Sequence, residues 1–214
     1  MTRRRRPIEN LSVVDEYSRL APDYDTRWSS YIEATTRETI TRLNLGPRGR
    51  LLDVGCGTGV LLHRVSQSHP DAQLAGIDPV PGMLAVARRR LGSAAELREG
   101  WAEALPYEAA KFDVVVSCNM FHYVRRPLVA LGEMERVLRP GGQLVITDWC
   151  DDYLACRVGD LYLRLFSASH VKMYGKRDCE RMLGEAGYAG VAIERYRINW
   201  LWGLMTATAT KRAT

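Results

Sequence analysis

The segment Leu51–Val60, LLDVGCGTGV, constrains this chain more than any other stretch. An apolar run ends in an aspartate, and glycines follow at 55, 57 and 59 before an apolar helical pattern resumes. A buried strand, a tight turn and a helix start account for that order. Glycine reaches backbone conformations closed to other residues and lets a ligand approach the main chain where a Cβ would collide. The helix start turns amide hydrogens toward the same place. Asp53, at the strand end, is suited to bracing this loop or meeting a cationic ligand group.

The spacing is selective. A dinucleotide fingerprint carries glycines at its first, third and sixth positions. Counted from Gly55, the sixth position here is Val60, so the turn reads GxGxG and turns away from NAD and FAD. The Lys-Ser/Thr pair of a phosphate-binding nucleotide loop is missing too. Asp78 closes the next apolar run in AGIDPV, about one strand–helix unit later. A carboxylate there is placed to accept hydrogen bonds from both hydroxyls of a ribose. Turn and carboxylate together define an adenosyl site.

Short apolar runs at Arg50–Val54, Gln73–Asp78, Ala95–Glu99, Phe112–Ser117 and Gln143–Asp148 read as strands. Helical spacing marks Leu61–Ser68, Gly82–Leu91 and Leu128–Leu138 between them. Such alternation predicts a parallel sheet covered on both faces. Pro140-Gly141-Gly142 reads as a sharp turn from helix to strand. Glu9–Leu45 reads as two helices broken near Ala21-Pro22. After Cys150 come a helical stretch, a second helix at Cys179–Glu185, and two apolar runs, Gly190–Ile198 and Trp202–Thr210. With no long connection between them, those runs predict an antiparallel pair finishing the sheet. The expected fold is α/β, doubly wound and Rossmann-like: a mostly parallel seven-stranded sheet with an antiparallel C-terminal strand and an N-terminal helical cap. The expected boundaries are a basic disordered tail over 1–8 and a single domain over 9–214. Within it, 9–48 is the cap, 49–149 the cofactor-binding core and 150–214 the C-terminal helices and strands.

Charge narrows the partners. Arg3–Arg6 hold four of the 30 basic residues, which leaves 26 against 25 acidic ones. The net charge of +5 therefore comes largely from the tail, and the near-neutral body argues against a nucleic-acid face. No stretch approaches the roughly 20 apolar residues of a membrane span, and no apolar segment follows the arginines as a secretory signal requires. Cys56, Cys118, Cys150, Cys156 and Cys179 form no CxxC pair, which argues against a metal site and for a reducing, cytoplasmic setting.

Five segments in order, LLDVGCGTGV, GIDPVPGML, WAEALP, FDVVVSCNMFHYV and LRPGGQLVITDW, resemble the class I S-adenosylmethionine-dependent methyltransferases. The resemblance is to the small-molecule subgroup that includes the ubiquinone/menaquinone C-methyltransferases. YSRLAPDYD, at Tyr17–Asp25, is similar to the subgroup's cofactor-capping segment. The resemblance implies S-adenosylmethionine as cofactor, S-adenosylhomocysteine as product and a small-molecule acceptor. It implies that Gly55, Gly57 and Gly59 pass under the methionine part, that Asp78 holds the ribose and that Met83 packs on the adenine. Trp101, Ala102 and Glu103 match the family's adenine contact, where an acidic residue often stands in Trp101's place. Either Glu103 or the Ala102 amide would then meet the adenine amino group, and Trp101 reads equally as a half-buried core residue.

Methyl transfer needs alignment of nucleophile, methyl and sulfur, exclusion of water, and removal of any proton the nucleophile carries. Residues after the fourth strand belong beside the methyl group, at the carboxyl edge of the sheet. Asn119 is a candidate cofactor contact there, through its backbone or its side-chain amide. His122 is a candidate general base or a part of the pocket wall; Tyr123 and Asp148 are further candidates, and Asp148 reads also as a cap. Tyr17 and Tyr24 either close over the methionine moiety or pack the helical cap. Trp149 is a pocket-wall candidate, and Trp200 and Trp202 read first as sheet core. Three other readings stand beside this one. Converging thiols of Cys118, Cys150 and Cys156 would suit a soft acceptor such as arsenite. A nucleic-acid methyltransferase rests on the arginine tail, and CNMFHY lacks the Asn/Asp-Pro-Pro-aromatic signature for exocyclic amines. A non-catalytic adenosyl-binding partner subunit is the third. Monomer and homodimer both fit.

Overall fold

The computed structural model describes residues 8–153, 156–161, 172–199 and 202–213. Arg3–Arg6 and Trp200 lie outside them. The N-terminal region forms α1 (Ile8–Leu20), a four-residue α2 (Tyr24–Arg27) and α3 (Ser29–Ile40). Then follow β1 (Arg50–Val54), α4 (Val60–Ser68), β2 (Gln73–Asp78), α5 (Pro81–Leu91), β3 (Ala95–Glu99) and β4 (Phe112–Cys118). A 3₁₀ turn at Phe121–Tyr123 leads to α6 (Pro127–Val137) and β5 (Leu138–Trp149); α7 (Lys176–Glu185), β6 (Tyr188–Arg197) and β7 (Gly203–Lys211) close the chain. Residues 156–161 are helical as well.

One seven-stranded sheet runs in the order β3-β2-β1-β4-β5-β7-β6. The first five strands are parallel; β7 is antiparallel to both β5 and β6. Sequential strands leave β1 on both sides, so β1 and β4 flank the point where strand order reverses, and a crevice opens beyond their carboxyl ends.

Adjacent strand residues divide between two apolar layers, as the pleat requires. Leu51, Val114, Val116 and Val145 pack with Leu62 and Val65 of α4 and Leu84 and Ala87 of α5. Their neighbours Leu52, Val115, Leu144 and Ile146 face Leu131 and Met134 of α6 and Met182 and Leu183 of α7. Burial on both faces explains why these strands read as continuous apolar runs.

Two local expectations shift. Pro140-Gly141-Gly142 lies inside β5 rather than before it. Pairing passes from Phe112↔Leu138 to Val114↔Gln143, so the extra residues form a bulge, with Gly141 at φ 72°. The cap has a second break at Trp28, which caps α2 and starts α3.

The buried face of α3 is Tyr31, Ile32, Thr35, Thr36 and Thr39, mostly hydroxyls. One of them, Thr39, reaches across the sheet. Thr39 donates to Thr147 (2.8 Å), Thr147 and Thr206 share a bond (3.0 Å), and Tyr196 reaches Thr206 (2.8 Å). A hydroxyl ladder thereby fixes the cap helix over β5, β7 and β6, where unpaired groups would carry a desolvation cost.

Candidate active site

A cavity sits at the carboxyl ends of β1, β2 and β4, roofed by α1 and α2, with about 1180 Å³ of empty space including its mouth. Asp53, Gly55, Gly57, Asp78, Trp101, Ala102, Glu103, Asn119, Tyr24 and Tyr123 all line it, with Tyr17. Segments far apart in sequence meet there because parallel strands deliver their carboxyl ends to one edge.

The floor is the glycine turn. Gly55 N and Cys56 N donate to Ile77 O (2.8 and 3.1 Å), which ties the turn to the tip of β2. Gly57 N donates to Asp78 Oδ2 and Val80 N to Asp78 Oδ1, each at 2.9 Å. Burial pushes the Asp78 carboxyl up to about 6, against the pull of those two amides. Gly57 has φ 53° and open space where a Cβ would stand, so its main chain is bare toward the cavity. Gly55, at φ 79°, has Met120 against it; a Cβ would lie 2.3 Å from Met120 Cγ.

Asp53 is 2% exposed, and its Oδ1 has no hydrogen-bond partner among the described residues. Burial pushes its carboxyl up to about 8, and the Asp78 charge adds to the rise. A buried carboxylate without a partner is costly, and a cationic ligand group would relieve that cost.

Gly59 and Met83 are placed elsewhere. Gly59 caps α4 in the left-handed conformation, φ 78°, and faces α5 rather than the cavity. An added Cβ would lie 2.9 Å from Leu91 Cδ1 and 3.1 Å from Ala87 Cβ. Gly59→Ala is therefore expected to cost roughly 1–3 kcal/mol in stability through backbone strain and crowding. Denaturant unfolding measures this; an unchanged midpoint would contradict the packing role. Met83 is buried against Ala21 and Val80 under Tyr17 and Tyr24, so it supports the cap.

Behind the cavity stands a buried pair. His122 Nδ1 donates to Asp148 Oδ1 at 2.6 Å, and His122 N donates to Asp148 Oδ2 at 3.0 Å. The imidazole stacks on Trp149, centroids 4.4 Å apart at 12°, and Trp149 stacks on Trp202. Neither His122 nor Asp148 lines the cavity; Tyr123, whose ring lies 3.9 Å from His122, does. The carboxylate thus fixes the turn that presents Tyr123. Tyr123 and Tyr17 hydroxyls are hydrogen-bonded to each other.

Asn119 occupies the left-handed region at φ 59°, which asparagine tolerates better than most residues. Its amide is clamped from the cap: Tyr31 donates to Oδ1 (2.8 Å) and Nδ2 donates to Thr35 Oγ1 (2.7 Å). Two lining residues were not among the sequence candidates. Thr36 and Ile32 line the cavity from α3, and their spacing on one helical face with Thr35 and Tyr31 was the available clue. Asp25 accepts from Thr58 Oγ1 and Arg90 Nη2, each at 2.6 Å, pinning α2 to the glycine turn and α5.

No disulfide joins the five cysteines. Cys118 lines the cavity, whereas Gly203 N donates to Cys156 Sγ (3.3 Å) on another part of the sheet. Among the described residues, no three His, Cys, Asp or Glu side chains are arranged to hold a metal, and no helix is long and apolar enough to cross a membrane.

The family model for the methyltransferase domain matches residues 52–146. The chain is 34% identical over 188 residues to an uncharacterised methyltransferase of Schizosaccharomyces pombe, covering 78% of this chain and 69% of the relative. It is 36% identical over 141 residues to demethylmenaquinone methyltransferase of Thermus thermophilus, covering 62% of this chain and 64% of that one. The chain spans from 50% to 64% of the length of two curated relatives it matches. Among solved structures, the [4+2]-cyclase SpnF superposes with a TM-score of 0.79 at 19% identity, covering 97% of this chain and 98% of that one. The sheet order, the glycine turn and these matches agree: the chain belongs to the class I S-adenosylmethionine-dependent methyltransferase family.

Proposed function

We propose that this protein transfers a methyl group from S-adenosylmethionine to a small-molecule acceptor. The unpartnered Asp53 oxygen, in one cavity with Asp78 and the bare Gly57 backbone, is the observation that carries the reading. These residues fit the donor: Asp78 takes the ribose hydroxyls, Asp53 faces the ammonium of the methionine part, and Gly55 and Gly57 pass beneath it. Trp101, Ala102 and Glu103 enclose the adenine, while Tyr24 and Asn119 close the methionine end. When bound, S-adenosylmethionine supplies an electrophilic methyl group on a sulfonium. The chain's own part is to align that group, exclude water beneath the tyrosine roof and hold the acceptor. The small-molecule relatives support a small acceptor, and five cysteines without a disulfide support a cytoplasmic setting.

In this reading Tyr123 touches the reactants, while His122 and Asp148 position it. His122→Ala is expected to lower turnover about tenfold without removing a titration from the pH–rate profile, since the imidazole acts by holding the turn. Loss of an acidic limb in that profile would instead make His122 the base. The donor assignment is tested by calorimetric titration of the protein with S-adenosylhomocysteine: one site per chain is expected, and no heat of binding would overturn it.

A further inference from the structure

Tyr17 and Tyr123 reach into the cavity from α1 and from the turn after β4. Their rings meet edge to face with centroids 5.5 Å apart, and Tyr24 stands 5.9 Å from Tyr17. Two phenols carry two protons, and the bond between their oxygens uses one. Neither hydroxyl has another hydrogen-bond partner among the described residues. One proton is thus left for a ligand, polarised by the bond behind it. Burial holds the Tyr17 hydroxyl up to about 12 and pushes Tyr123 well above its usual range, so both remain donors at neutral pH.

We propose that the Tyr17–Tyr123 pair is a clamp for the acceptor's attacking atom, and that the acceptor is an organic oxyanion, a phenolate or a carboxylate. The inference rests on the methyl-donor reading above. Lone pairs decide between acceptor classes. A neutral amine nitrogen has one lone pair; if that pair accepts the tyrosine proton, none is left to attack. An anionic oxygen has three, so it accepts from the clamp and still attacks.

The step then balances without a base. One oxygen lone pair forms the bond to the methyl carbon as the carbon–sulfur pair withdraws to sulfur. The oxyanion becomes a neutral ether or ester, the sulfonium becomes a neutral thioether, and no proton moves. That accords with the position of His122, which is bonded to Asp148 outside the cavity lining.

The test compares three probes of similar shape, 4-nitrophenolate, 4-nitrobenzoate and 4-nitroaniline, at a pH where the phenol is ionised. Binding to the full chain is followed by absorbance, with and without S-adenosylhomocysteine. At least one anion is expected to bind tenfold or more tightly than the aniline, and the nitrophenolate band shifts to shorter wavelength if its oxygen accepts the clamp's proton. Tyr17→Phe and Tyr123→Phe are each expected to reduce the anion-to-aniline ratio at least threefold. Equal or tighter binding of 4-nitroaniline to the wild type overturns the proposal, and so does an unchanged ratio in both folded variants. S-adenosylhomocysteine binding without anion preference defeats the clamp alone; anion preference without S-adenosylhomocysteine binding defeats the donor reading and leaves the tyrosine pair an anion site only.

Discussion

Asp78→Ala is expected to weaken S-adenosylmethionine binding by roughly 1–3 kcal/mol, about five- to 150-fold. The carboxylate organises two things at once. Its oxygens hold Gly57 N and Val80 N, each at 2.9 Å, and the same carboxyl lines the cavity where the proposed ribose would sit. Alanine removes the ribose acceptors and also frees the glycine turn. Asp78→Asn keeps one acceptor oxygen and is expected to fall between wild type and alanine. Calorimetry on variants shown to be folded decides the matter: unchanged affinity in Asp78→Ala would remove the ribose assignment.

The second large effect is on pH dependence. Asp53 in the folded protein is raised to about 8 from an unfolded value near 4. Between those values the folded chain binds a proton that the unfolded chain has lost, so this group's contribution to stability falls as pH rises through that window. The loss is about 5 kcal/mol at its upper limit, if the whole difference is expressed. A cationic donor reverses the preference, because it favours the charged carboxylate. Affinity for S-adenosylmethionine is therefore expected to rise with pH toward about 8 and then level, with release of up to one proton per molecule bound at neutral pH. Titrations in two buffers of different ionisation enthalpy measure that proton. In Asp53→Asn the free protein is expected to gain stability near pH 8, to lose donor affinity and to lose the proton release. A wild type that binds with no proton release and no pH trend would contradict the pairing of Asp53 with the donor's cation.

The inner strands were legible because burial on both faces forces continuous apolar runs, as in Val114–Val116 and Leu144–Ile146. Asp78 and the glycine turn were legible because they lie at strand ends, which parallel topology brings together. Other features depend on direction rather than order. Gly57 and Gly59 look alike in sequence, yet the main chain presents one to the cavity and packs the other against Leu91 and Ala87. His122 follows β4 as expected, but the 3₁₀ turn aims its ring at Asp148 and brings Tyr123 to the cavity. The threonine stripe of α3 looks like a solvent face because Thr147, the partner of Thr39, arrives from a strand more than a hundred residues away, with Thr206 bonded behind it. Likeness to a cyclase at this level of superposition shows that the scaffold does not fix the reaction; the side chains at the strand ends must.

The most direct test of methyl transfer is incubation of the purified protein with methyl-labelled S-adenosylmethionine and a small-molecule metabolite extract, with nucleic acid in a parallel sample. The expected result is label in a low-molecular-weight product, with one S-adenosylhomocysteine formed per methyl transferred. Label confined to nucleic acid, or cofactor bound with no label moved to any pool, would contradict it.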